Sequence, residues 1–155
     1  MLYRRPHAGE DDKAMRTVFG FILAVVVVVV VGAGAHAYFN QGALEALGAT
    51  FTPAMRVGWI FHDITGMAPL YGAIMGVGLL IAFIVAGIVS SWMPSLRSIV
   101  YVVAGAVAVA CAITVMGQVF GTTPIASTRS MDGFIGQAVA GALAGLAYVL
   151  VKRPA

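Results

Sequence analysis

Charge is what this chain has least of. Only 10% of its 155 residues are Asp, Glu, Lys or Arg, against 61% hydrophobic residues. A soluble domain needs a polar surface that such a composition cannot supply. Cysteine is nearly absent: Cys111 stands alone. That excludes an intrachain disulfide and a thiolate metal cluster, and leaves Cys111 as a small packing residue. G-x-S-x-G, H-E-x-x-H, Cys-x-x-Cys and the phosphate-binding loop are all missing, which removes the commonest hydrolase, metalloprotease, redox and nucleotide-binding readings. No Asp, Glu, Lys, Arg or His lies in the middle of a long apolar stretch. Proton relays, ion-coupled transporters and voltage sensors place such groups there despite the cost. A non-catalytic protein is the expectation.

What is present is apolar length. Four stretches, about 17–37, 65–92, 98–120 and 133–151, are long and apolar enough for helices that satisfy their own backbone in lipid. The fold class expected is all-α: a polytopic membrane protein, a single four-transmembrane-helix antiparallel bundle over 17–155, preceded by a cytoplasmic tail over 1–16. Arg4, Arg5, Lys13, Arg16, Arg97, Lys152 and Arg153 flank one set of span ends, and only Arg56 and Arg129 the other. This asymmetry predicts cytoplasmic N- and C-termini and argues against nucleic acid as the partner of the basic residues. Trp92 and Tyr101 fall near the inner boundary, and Tyr38, Phe39, Trp59, Phe61, Phe120 and Phe134 near the outer one, as an aromatic belt does. The short tails and Ala/Gly/Val-rich spans suggest a bacterial-type inner membrane.

The first stretch has a rival reading. A basic start, a valine run over 25–31 and Ala35-His36-Ala37 together resemble a signal peptide cleaved after Ala37. The apolar stretch is longer than the usual ~7–15 residues of such a segment, so an uncleaved span is expected. Its valines, with no small residue before Gly32, are expected to face lipid or a partner subunit. The first outer loop, 38–64, carries Thr52-Pro53, a helix-start signal. It predicts a short interfacial helix over 53–63, or an outward extension of the second span. Residues 93–97, MPSLR, form a tight turn in which Pro94 stops one helix and Ser95 caps the next. The segments GATFTPAMR at 48–56 and GTTPIASTR at 121–129 echo one another faintly.

Small residues mark where helices can approach: Gly72 and Gly76, Ala86 and Ser90, Gly141 and Gly145, each four apart. Polar residues gather at the outer face instead: His36, Arg56, His62, Asp63, Gln118, Arg129, Asp132 and Gln137. Gln118 and Gln137 are expected to bond across the third and fourth spans. Three readings of the cluster stand side by side. Arg56, Gln118, Arg129 and Gln137 suit a lipid headgroup or quinone at the bundle mouth. His36 and His62 suit axial haem ligation, or copper with Met55, Met67 and Met131. The third is structural: caps, and an Arg129–Asp132 pair. Ser127, Thr128 and Ser130 have no histidine in their own loop to activate them; His36 or His62 would have to approach through space. The leading functional expectation is an accessory or assembly subunit packed against a larger membrane complex, as a homo-oligomer or with a protein partner. The alternatives are a carrier for a lipid, quinone or other hydrophobic ligand, and a haem or metal protein.

Overall fold

Two helices run far past the apolar stretches that announce them. The computed structural model describes residues 8–122 and 125–152; Arg4, Arg5, Arg153 and part of the 121–129 echo lie outside the described residues. The helices are α1 (Ala8–Ala46), α2 (Pro53–Trp92), α3 (Arg97–Phe120) and α4 (Met131–Lys152), with 3-10 turns at Pro94–Leu96 and Ala126–Arg129. No strand occurs among the described residues, and all four helices are long and apolar enough to cross a membrane. At ~1.5 Å per residue, α1 and α2 are each roughly 60 Å long, about twice a hydrocarbon layer.

The extra length corrects three boundaries. Residues 8–16, open to a loose tail or to a short helix leading into the first span, are the first turns of α1. Residues 38–46 continue α1, and 53–63 are the first turns of α2, the outward extension of the second span that was the other expectation for them. Polar residues such as Asn40, Gln41 and Arg56 end an apolar run, but they do not end a helix. Gly48 does end one: its φ of 94° is open to glycine at no steric cost, and its N–H bonds the Glu45 carbonyl at 2.9 Å. Thr52 then caps α2 as expected, its Oγ1 accepting from the Met55 N–H at 3.3 Å, with Pro53 in the first turn. At the other turn Ser95 makes no cap; the Arg97 N–H bonds the Pro94 carbonyl and α3 follows directly.

Each helix packs on two neighbours, α1 and α3 both lying against α2 and α4. Along each pair the contacts run in opposite numerical order. Gly20 lies against Tyr148, Gly32 against Gln137, and Phe39 against Gly136; Gly72 faces Val29 and Gly76 faces Val25. The connections 47–52 and 121–130 therefore share one end, called here the loop end, and the 93–96 turn occupies the opposite end.

The small residues are used inside this ring. A side chain on Gly105 would overlap the Gly141 carbonyl, one on Gly141 the Gly105 carbonyl, and one on Gly145 the Tyr101 carbonyl. Helices α3 and α4 thus touch backbone to backbone, which only glycine permits. Ala86 and Ser90 are buried on α2, and Gly72 and Gly76 meet valines of α1. The valine helix is no outlying span: Ala24, Val28, Ala33 and Ala37 are fully buried, while Val26 and Val30 point outward. Ala35-His36-Ala37 lies within unbroken α1, with Ala37 buried and the other two half-buried. Tyr101, expected at a membrane boundary, is buried with Phe83 and Tyr148, whose rings stack at 4.5 Å; Trp92 is exposed. Cys111 faces outward rather than packing inside.

Candidate functional site

Polar chemistry concentrates toward the loop end. Its centre is Gln137, fully buried on α4. Its Nε2 donates to the Gly32 carbonyl of α1 at 2.8 Å, and its Oε1 accepts from the Tyr71 hydroxyl of α2 at 2.5 Å. One side chain therefore joins three helices. Any Cβ on Gly32 would overlap the Tyr71 hydroxyl, so the glycine makes room for the bond.

Above it, His36 Nδ1 lies 3.0 Å from Ser127 Oγ, tying the α3–α4 connection to α1. This is the approach through space that the serine needed. Ser127 is buried, however, and Asp63, whose charge acts on His36, makes no hydrogen bond with the imidazole. The third member of a nucleophile–base–orienter chain is not assembled. The Asp63 Oδ2 is buried and takes no hydrogen bond from any described residue.

Two cavities flank this core. One, of about 370 Å³, is lined by Phe39, Glu45, Arg56, Ser130 and Asp132 among others. Arg56 is committed there: its guanidinium pairs with Glu45, it lies 5.9 Å from the centre of the Phe51 ring, and its carbonyl accepts from Gln41 at 3.3 Å. The other, of about 330 Å³, is almost wholly apolar. Gly66, Met67, Leu70 and Ile74 of α2 and Met116 and Phe120 of α3 wall it, with Tyr71 and Ile125 completing the lining. Pro69 lies inside α2 between the lining residues Met67 and Leu70. It has no N–H for the Thr65 carbonyl, which weakens the helix where the cavity forms. Nearer the 93–96 turn the same two helices close up, Gly87 meeting the Tyr101 hydroxyl.

Of the residues singled out from the sequence, Gln137 lies at the centre and Arg56 lines the polar cavity. Gln118 does not meet Gln137. It is exposed, as are Cys111 and Thr114 on its helix face, while the face formed by Gln137, Gly141, Ala144 and Tyr148 is buried. The seam of α3 follows Gly105, Val109, Ile113 and Met116, and Gln118 lies about 200° around the helix from Met116. Arg129 is exposed in the 3-10 turn. His62 is exposed and His36 is bonded to Ser127. No group of three or more His, Cys, Asp or Glu is placed to hold a metal among the described residues.

Sequence reasoning missed Tyr71. A tyrosine inside an apolar stretch was the available signal, because a buried phenol usually finds a partner. No protein-family model matches the chain, and neither a curated protein nor a solved structure shows significant similarity to it.

Proposed function

We propose that the protein is a non-catalytic antiparallel four-helix bundle of a bacterial-type inner membrane, termini cytoplasmic, that binds a lipid, quinone or other hydrophobic molecule. The observation that carries this reading is the 330 Å³ apolar cavity between α2 and α3. It falls in the size range of small-molecule sites. Its lips, Leu70 and Phe120, are exposed at 72% and 64%, so a molecule dissolved in lipid can reach it sideways. Four apolar helices, the opposite contact order of neighbouring helices and the charge asymmetry support the membrane topology.

The accessory-subunit reading ranks below, because the small-residue seams that motivated it are taken up within the chain. The haem and copper readings rank lowest, since His36 and His62 belong to separate surroundings.

The test is gentle extraction into lipid nanodiscs and intact mass spectrometry of the native particle. The proposal expects the chain to carry an added mass of a hydrophobic small molecule, and Gly66→Trp to lose it. A Cβ at Gly66 meets nothing within 4 Å, so the ring would fill the cavity without displacing the core. A bare chain, or an added mass equally retained by Gly66→Trp, contradicts the proposal. Companion subunits in fixed ratio would return the accessory reading to first place.

A further inference from the structure

Among the described residues that line the apolar cavity, Tyr71 alone carries a side-chain hydroxyl, and that hydroxyl is engaged elsewhere. It donates to Gln137 Oε1 at 2.5 Å and ends against Gly32. It therefore reaches α4 and α1, away from the gap between α2 and α3. The other lining side chains carry no N–H or O–H. The thioethers of Met67 and Met116 accept hydrogen bonds only weakly, and they adapt their shape to a neighbour. A quinone ring in this cavity would bring two carbonyls to a wall with no free donor side chain. A phospholipid head would lose its hydration without gaining a partner.

Water does not suit the space either. An apolar cavity of about 330 Å³ stays dry, and its lining forgoes dispersion contacts until atoms fill it. The exposed lips, Leu70 and Phe120, open it sideways to lipid. Ile125, from the connection at the loop end, is buried and completes the wall. Its carbonyl accepts from the Thr128 N–H at 3.0 Å and from Thr128 Oγ1 at 2.8 Å, so that wall is held in place. From Gly66 to Ile74 the lining rises about 12 Å along α2, most of the ~15 Å depth of half a hydrocarbon layer.

We infer that this site holds one acyl chain of a phospholipid and ignores the head. The chain runs along α2 from Gly66 to Ile74 and packs against Met67, Met116 and Ile125, while the head stays outside in water. This assignment rests on the ligand-binding reading above and names the part of the ligand that is recognised.

The test is native mass spectrometry of the delipidated full chain. It is titrated with dipalmitoyl phosphatidylethanolamine, phosphatidylcholine and phosphatidylglycerol, and with the single-chain palmitoyl lysophosphatidylcholine. All four are expected to bind one-to-one with affinities within about threefold of one another, because a head left in water adds only screened charge. Gly66→Trp is expected to remove one-to-one binding of all four, with circular dichroism checking that it keeps its helix content. A larger preference for one head, or a need for the second chain, overturns the chain-only assignment and leaves the cavity reading standing. Failure of all four to bind wild type one-to-one, or binding that survives in Gly66→Trp, overturns both.

Discussion

Gln137 uses both ends of its amide, and each end reaches a different helix. In an apolar interior such bonds are worth about 0.6–2 kcal/mol apiece, and their direction fixes the rotation of α1, α2 and α4 about their axes. Gln137→Leu keeps the volume and loses the bonds, so it is expected to lower stability by about 1–2 kcal/mol in a detergent melt. Gly32→Ala forces the Tyr71 hydroxyl aside, at a cost of about 1–3 kcal/mol. Combining it with Tyr71→Phe, which removes that hydroxyl, is expected to cost less than the two single losses added together. Strict additivity would show that Gly32 and Tyr71 do not meet as described. The buried role of Gln137 was legible on a helical wheel, through its companions Gly141, Ala144 and Tyr148. The outward position of Gln118 was not. In lipid the outer face of a helix is as apolar as the inner one, so apolar patterning does not tell inside from outside. Close backbone contact does, and on α3 it follows Gly105.

At the scale of elements, the four spans and the Thr52-Pro53 start were readable because apolar length and capping chemistry act locally. The true ends of α1 and α2 were not, since hydropathy falls at Asn40 and rises again near Ile64 while the helices continue through the polar stretch. The extension is held by the Glu45–Arg56 pair, which is half-exposed and worth at most about 1 kcal/mol, and by the turn at Gly48. Helix seams can be graded by what a methyl group would meet. Gly141→Ala, which drives a Cβ into the Gly105 carbonyl, is expected to cost about 3 kcal/mol or more. Gly72→Ala meets Val29 at 3.1 Å and Gly76→Ala meets Val25 at 3.7 Å, so the first costs about 1 kcal/mol and the second close to none. Gly66→Ala, with open space around it, gains up to about 1 kcal/mol of helix propensity. Thermal unfolding of the four variants in one detergent should return this order. An equal loss at Gly141 and Gly66 would mean that α3 and α4 do not touch at their backbones.

At the scale of the whole molecule, the ring of helices is tight where glycines bring α3 onto α4, and it leaves a cavity of about 330 Å³ between α2 and α3. Close packing and open space are thus divided between opposite sides of α3. Of the small-residue motifs, Gly141 and Gly145 lie on the tight side, against Gly105 and Tyr101. The cavity was not legible, because it depends on how far α2 and α3 stand apart, and no single stretch of sequence encodes that separation. The most direct measurement is photolabelling in nanodiscs with a lipid carrying a diazirine in its acyl chain, followed by mapping of the adducts. Adducts concentrated on Met67, Leu70, Met116 and Phe120, and depleted in Gly66→Trp, are the expected result. Adducts spread evenly over the exposed apolar faces, with Ile81, Ile84, Ile88, Val103 and Val107 labelled as heavily as the cavity and Gly66→Trp unchanged, would contradict a binding site between α2 and α3.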